Sequence, residues 1–286
     1  MSPYFVLGVA VACVSVGSIL VRLAQAPAFA VSFHRVFLAS LLLAPFALRP
    51  ALASWPALSR RNRWVLLASG LALALHFATW IASLSYTTVA ASVLLVNTTP
   101  LFTVAFAWGL LRESAPPRVL GAIALALVGA GLIAAGDWSG GATNPLLGDG
   151  LALVGAVALS LYHVIGRGLR AALPLNAYIL GVWGAAALVL ALVCAGSGVP
   201  LTDYPPRTFA LFLALALVPT LAGHGLVNRS LRHLPAPTVG LFLLGEPVGA
   251  TLLAYALLGE TPGTWTLAGG GVILAALVLV VVGRNA

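Results

Sequence analysis

A glutamate that directly precedes a proline lies in an otherwise uncharged stretch of the chain. The stretch GEPVGATLLAYALLGE covers residues 245–260 and carries charge only at Glu246 and Glu260. At the centre of a membrane helix an ion of this kind costs about 2.5–3.5 kcal/mol, so Glu246 must be protonated, hydrated or partnered there. Its carboxyl group could carry a proton or hold the amine of a solute. The alternative is a structural hydrogen bond to backbone that Pro247 leaves unpaired.

Other polar side chains recur at helical spacing inside apolar stretches. His76 and Trp80 are four residues apart, so they share a helix face and could stack on and hydrogen-bond an aromatic or amphipathic solute. The alternative is an interhelical histidine beside a tryptophan that faces lipid. The remaining candidate cavity residues, for which ordinary helix packing is the alternative, are Ser15, Ser18, Asn97, Tyr162, His163, Trp183, His224 and Tyr255.

One arginine also falls inside an apolar stretch, a few residues from its start. Arg35 could neutralise the carboxylate of a solute, or it could snorkel to the outer interface. His34 beside it could do either, and both rank below Glu246. Helix-end or interfacial roles are favoured for Glu113 and Glu260.

The composition indicates that lipid is the solvent of this chain. Hydrophobic residues make up 61% of the 286 residues and charged residues 7%, against about 25% charged residues in soluble domains. The net charge of +8 comes from scattered arginines, which does not indicate nucleic acid. The absence of lysine excludes a P-loop and a Schiff base, and no catalytic or metal-binding motif is present, so we expect neither an enzyme nor a cofactor. Cys13 and Cys194 lie in apolar runs and are expected to be buried and free.

The lengths of the apolar stretches predict ten transmembrane helices in one membrane domain, residues 1–286. A span needs about 20 mostly apolar residues. The candidates run approximately 3–23, 29–48, 64–84, 88–111, 118–136, 147–166, 175–196, 208–228, 236–258 and 264–283. With both termini in the cytoplasm, eleven arginines lie on the inner side and only Arg22 and Arg207 on the outer side. Arg22 alone argues for the reverse orientation. We therefore expect an all-α, multi-pass protein of a bacterial-type inner membrane.

The chain resembles itself at a shift of 147 residues. Pro100 then aligns with Pro247, and Glu113 with Glu260. Each repeat, approximately 1–140 and 141–286, holds five predicted spans, so the second repeat enters the membrane inverted. Paired helix breakers at corresponding places in two inverted halves indicate a binding site between them, with Pro100 and Pro247 as the kinks and a shared central cavity beside them.

These residues are similar to the EamA-type transporters of the drug/metabolite transporter superfamily. The resemblance covers nearly the whole chain and is most specific in GEPVGATLLAYALLGETPGTWTLAGGGVILAALVLV, residues 245–280, with Phe33-His34-Arg35 as a second match. It implies a proton- or gradient-dependent exporter of small metabolites. The YddG-like exporters of aromatic amino acids are similar in size and layout. Thr99 stands where the second repeat has Glu246, so only one half carries the acid.

The expected function is therefore secondary export of small metabolites, amino acids including aromatic ones, by alternating access. The alternative is an uncoupled facilitator or channel for small solutes. Expected partners are the small-molecule substrate and the lipid bilayer, with proton coupling through Glu246 as a candidate and no nucleic acid. Small residues at 122, 126, 130 and 134 and at 271 and 275 predict close helix packing, and a monomer or weak dimer is expected.

Overall fold

A computed structural model describes residues 3–111, 117–137, 143–165, 169, 173–230, 242–243 and 245–282. The regular elements of these residues are all helical. Up to the middle of the chain the helices are α1 (Pro3–Ser15), α2 (Gly17–Ala24), α3 (Ala28–Ser54), α4 (Arg60–Ser83), α5 (Val89–Val96), α6 (Thr99–Leu111) and α7 (Pro117–Asp137). Beyond it they are α8 (Pro145–Ile165), α9 (Leu175–Ser197), α10 (Pro206–Leu215), a π-helical segment (Ala216–His224), α11 (Gly225–Ser230), α12 (Gly245–Leu258) and α13 (Thr264–Val282).

The predicted class, an all-α polytopic membrane protein, is confirmed. Seven stretches of the described residues are long and apolar enough to cross a bilayer, with mean hydropathy between 1.6 and 2.4. Three shorter apolar helical stretches, Ala124–Ile133, Gly245–Leu258 and Thr264–Ala276, fall within the fifth, ninth and tenth predicted spans. The beginning of the ninth predicted span and Glu113 lie outside the described residues, so the count of ten stays a prediction.

The fourth predicted span is broken in the middle, directly before Pro100. Helix α5 ends at Val96 and α6 begins at Thr99, with Pro100 as its second residue. Pro100 removes the backbone donor that Val96 O would have in a continuous helix, whereas Val93 O and Leu95 O accept from Asn97 N and Thr98 N. All three carbonyls also accept from side-chain donors. Three successive side chains supply them: Asn97 Nδ2 donates to Val93 O at 2.9 Å, Thr98 Oγ1 to Leu95 O at 2.6 Å, and Thr99 Oγ1 to Val96 O at 2.7 Å. The break is thus built into the sequence rather than strained.

The eighth predicted span contains a π-helical segment that the sequence analysis did not predict. The segment Ala216–His224 surrounds Pro219, and Thr220 Oγ1 donates to Leu215 O at 2.8 Å. The first predicted span also breaks, at Val16 between α1 and α2. π-Helical turns cost stability and are frequent at functional sites.

The helices pack in pairs that cross between the two predicted repeats. Helix α3 packs along α9, α4 along α8, and α7 along α13, while α1 packs on the π-helical segment and on α12. Glycines permit the closest crossing, because a Cβ on Gly129 would lie 2.7 Å from the carbonyl oxygen of Gly269. Ala122 and Ala126 are buried in the α7 and α13 contact, as predicted for close packing, whereas Gly271 is exposed.

Candidate functional site

The site is centred on Arg35, which is buried inside the helix bundle. It lies seven residues after the start of α3, about 10 Å along the helix, and is 2% exposed. Its Nε donates to Thr220 Oγ1 at 2.8 Å, and its Nη2 lies 3.3 Å from His224 Nε2. Since a guanidinium only donates, His224 accepts through Nε2 and carries its proton on Nδ1. Arg35 does not snorkel to the interface, and that alternative is wrong.

Aromatic rings cover one face of the guanidinium. The Cζ atom of Arg35 lies 4.3 Å from the ring centroid of Phe77 and 5.5 Å from that of Trp80. Both rings come from α4, and each is at most 5% exposed. Rings at these distances stabilise a cation through their negative faces and also shield it from lipid.

His76 and Trp80 share one face of α4, as their spacing predicts. Their rings are parallel, with an interplanar angle of 2° and centroids 6.0 Å apart. His76 Nδ1 donates to the carbonyl oxygen of Gly155 on α8 at 2.9 Å, so this histidine ties two helices together. Trp80 is 5% exposed and does not face lipid.

Glu246 lies in the first turn of α12, opposite the break between α5 and α6. Asn97 hydrogen-bonds its carboxyl group, and Arg35 interacts with it electrostatically. Within the described residues no direct ion pair joins Glu246 to Arg35. The acid and the base are therefore not in direct contact, and each keeps its own set of protein contacts.

Three buried polar atoms near this group have no hydrogen-bond partner among the residues that the structure describes. They are Nη1 of Arg35, Nε1 of Trp80 and Oγ of Ser18. Ser18 follows Gly17, whose added Cβ would lie 3.9 Å from the Trp80 ring. All three are donors, and unpaired buried donors are rare in folded proteins.

Residues on α8 contact the break between α5 and α6, and they also interact with the histidines of the Arg35 site. Ser160 Oγ donates to Thr99 O and to Ala156 O, each at 2.8 Å. His163 interacts electrostatically with His76 and His224, and the Tyr162 ring lies beside it at 5.2 Å. Ser15 Oγ donates to Val11 O within α1 at 2.9 Å and reaches Glu246 O at 3.4 Å.

Two predicted aromatic residues lie elsewhere. Tyr255 is 60% exposed on α12, and the structure does not bring it to the Arg35 group. Trp183 is buried and lines a cavity of about 430 Å³ between α3, α9 and the end of the eighth span, together with Leu43, Leu175, Asn176, Ile179, Leu221, Gly225 and Arg229.

His34 belongs to an aromatic cluster rather than to the Arg35 group. Its ring stacks on Phe212 at 4.3 Å, and its Nδ1 donates to Ala30 O at 2.8 Å. Phe209 and Tyr204 meet the same ring edge-on. No three His, Cys, Asp or Glu side chains among the described residues are grouped as metal ligands.

One ion pair connects helix ends on the side that we predict to be outer. Arg22 Nη2 lies 3.0 Å from Glu260 Oε1 and also donates to Thr87 O at 2.8 Å. The other oxygen of Glu260 accepts from Val89 N at 2.9 Å, in the first turn of α5. Glu260 therefore has the helix-end role favoured from the sequence, and with Arg22 it joins three segments.

The sequence analysis missed Thr220 and underrated Arg35. A signal for the first existed in Pro219, which lies inside an apolar stretch and predicts an irregular helix there. For Arg35 the sequence shows its distance along α3 but not the polar partners on a helix that lies 185 residues away in the chain.

A buried arginine and a partly exposed acid beside broken transmembrane helices are features of a membrane transporter rather than of a structural membrane protein. The model of the EamA-like transporter family matches this chain twice, over residues 1–135 and 146–282. The chain belongs to that family, which confirms the resemblance seen in its sequence.

Two further comparisons agree with this assignment. An uncharacterized transporter of Archaeoglobus fulgidus is 27% identical over 271 residues, which cover 91% of this chain and 90% of the relative. A solved crystal structure aligns with a TM-score of 0.63 at 20% identity over 99% of this chain and 98% of that one, which shows the fold alone.

Proposed function

We propose that the protein is a secondary transporter that exports small metabolites, amino acids including aromatic ones, across the inner membrane by alternating access. One observation carries the proposal: polar contacts inside the membrane join the two predicted repeats. Asn97 of the first repeat bonds to Glu246 of the second, and Arg35 of the first bonds to Thr220 and His224 of the second. A solute that bridges Arg35 of the first repeat and Glu246 of the second would change how the two halves are held together.

The pattern of helix contacts supports a two-fold relation of the halves. A two-fold relation exchanges each of the first five predicted spans with the span five places later. Under this exchange the contact of the second span with the seventh and the contact of the fifth with the tenth are unchanged. The contact of the third with the sixth maps onto that of the eighth with the first, and all of these contacts are present. Rocking of two such halves around a central site is the usual mechanism of inverted-repeat transporters.

The groups at the site favour a small solute with an ionic and an aromatic part. Arg35 offers a cation and Glu246 an acid. The rings of Phe77 and Trp80, both on α4, offer an aromatic surface beside the cation. Glu246 is also the candidate for proton coupling, because a carboxyl group that alternates between a proton and a solute amine links the two fluxes.

Transport into and out of proteoliposomes tests the proposal. Phenylalanine, alanine, phenethylamine and 3-phenylpropionate are supplied with and without an imposed pH gradient. We expect gradient-driven accumulation of at least one of them. Accumulation that is unchanged when the gradient is collapsed would favour the uncoupled facilitator, and no flux of any solute would contradict transport of this class.

A further inference from the structure

We infer that Arg35, with the indole of Trp80, is the receptor for the carboxylate of the transported solute. The inference rests on the proposed function and assigns one half of its site. It begins from the guanidinium, which uses Nε on Thr220 and Nη2 on His224. The remaining nitrogen, Nη1, is buried and has no partner in the described part of the chain.

A second donor without a partner belongs to the neighbouring side chain. The indole Nε1 of Trp80 is buried and has no hydrogen-bond acceptor within the described ranges, and the Trp80 ring centroid lies 5.5 Å from Arg35 Cζ. Ser18, beside the glycine that packs on Trp80, adds an unpaired hydroxyl. Each buried donor of this kind loses its hydrogen bonds to water without replacement, which is costly. An acceptor on the solute would satisfy the donors of Arg35 and Trp80.

The chemistry of the acceptor follows from the groups around it. A carboxylate has two oxygens and about four acceptor positions, and it matches the planar guanidinium better than any neutral group does. A phosphate carries more charge than one arginine neutralises in a site that already holds Glu246. A water molecule could satisfy one donor but would not neutralise the cation. The monoanionic carboxylate therefore fits the group best.

The rest of Arg35 is fixed as a receptor should be. Thr220 and His224 hold two of its three nitrogens, and Phe77 lies against its face at 4.3 Å. A side chain held in this way loses little further conformational entropy on binding. Because no direct ion pair joins Glu246 to Arg35 among the described residues, the carboxyl group of Glu246 can bind the amine of the same solute.

Four compounds with the same phenyl ring separate the contribution of the carboxylate from that of the amine. Competition for counterflow of labelled phenylalanine into proteoliposomes is measured with phenylalanine, 3-phenylpropionate, phenylalaninamide and phenethylamine. We expect phenylalanine to compete at least tenfold more strongly than phenylalaninamide, because the charge-assisted hydrogen bond from Arg35 Nη1 is lost. Equal competition by phenylalanine and its amide would overturn the inference.

Variants of one helix localise the effect. In Arg35→Gln the preference for phenylalanine over phenylalaninamide should fall to less than threefold, and Arg35→Lys should keep an intermediate preference because it retains charge without the planar geometry. Arg49→Gln, an exposed arginine on the same helix, should keep the wild-type preference. A preference retained in Arg35→Gln would overturn the inference.

The competition assay with the wild-type protein does not depend on the folding of any variant. It also separates the proposal of transport from the inference that Arg35 binds the carboxylate. Gradient-driven flux of phenethylamine without competition by either carboxylate would leave the transporter proposal intact and overturn the role of Arg35. No flux of any solute would contradict both.

Discussion

At the scale of single residues, the membrane interior makes each charge informative. Arg35 is buried and Glu246 is partly exposed, and both interact with neutral partners, Thr220 and His224 for the base and Asn97 for the acid. Structural stability alone does not require this arrangement, since apolar residues of similar volume are often as stable as buried charges. The charges are therefore best explained by what they bind.

Replacing the acid tests proton coupling. In Glu246→Gln we expect accumulation driven by a pH gradient to fall at least tenfold, while exchange without a gradient continues, because the amide can bond to Asn97 but cannot exchange a proton. Gradient-driven uptake and counterflow are measured in parallel. Asp203→Asn, an exposed acid of the loop before α10, is the control and should behave as wild type. An unchanged pH dependence in Glu246→Gln would remove the coupling role.

Replacing the indole tests stacking. In Trp80→Ala we expect transport of phenylalanine to weaken more than that of alanine, by about threefold to tenfold, because a ring contact is worth about 0.5–1.5 kcal/mol beyond its buried area. Apparent affinities of both solutes are compared in the same vesicles. Trp64, on the same helix but 61% exposed, provides the control Trp64→Ala. Equal losses for both amino acids in Trp80→Ala would argue against stacking on the solute.

At the scale of elements, the positions of the helices were predictable and their irregularities only partly so. The limits of α4, α8 and α9 fall within four residues of the predicted spans, because an apolar run of bilayer length has one stable state in lipid. The break before Pro100 followed from the missing backbone donor. The π-helical segment did not, because Pro219 alone does not determine whether a helix kinks, ends or gains a residue per turn.

The site was predictable in its residue types and not in its pairings. Spacing on one helix indicated the stacked rings of His76 and Trp80, since both belong to α4. It could not indicate that Thr220 reaches Arg35, nor that Tyr255 turns outwards, because these depend on how helices distant in sequence rotate against each other.

The break in the fourth span should be stabilised by its own side chains. Thr99→Val keeps the shape of the side chain but leaves the carbonyl of Val96 without its hydroxyl partner, and we expect a loss of about 1–3 kcal/mol in stability. Thermal unfolding in detergent measures the difference. Thr103→Val removes a hydroxyl whose acceptor is an intact helical turn, so it should cost less. Equal losses in the two variants would show that the hydroxyl of Thr99 is not needed at the break.

At the scale of the whole molecule, the halves must separate on one side while they close on the other. The contact of Arg22 with Glu260 and the capping of Val89 join segments of both halves at one end of the bundle. Polar contacts of partly exposed groups are each worth about 1 kcal/mol or less, so they can break during each transport cycle.

Removing this contact should loosen one end of the molecule. Glu260→Ala loses both the ion pair and the acceptor for Val89 N, and we expect it to lower stability by about 1–2 kcal/mol. Glu260→Gln retains an acceptor and should lose less. Thermal unfolding of Arg22→Gln alone and combined with Glu260→Gln forms a double-mutant cycle. Additive effects in that cycle would show that Arg22 and Glu260 do not interact.

The inverted relation of the halves makes a prediction about sidedness that does not depend on the solute. The loop between the second and third predicted spans and the loop between the seventh and eighth are equivalent in the two repeats, so inversion requires them to lie on opposite sides.

Cysteine labelling tests this sidedness. Cys13 and Cys194 are first replaced by serine, and a single cysteine is then introduced by Arg60→Cys or by Asp203→Cys, both at exposed positions. A membrane-impermeant thiol reagent should label Asp203→Cys in intact cells, and Arg60→Cys only after the membrane is opened. The excess of arginines near Arg60 specifies its side as cytoplasmic. Labelling of both positions from the same side would mean that the repeats are parallel, and the shared site between inverted halves would then lose its basis.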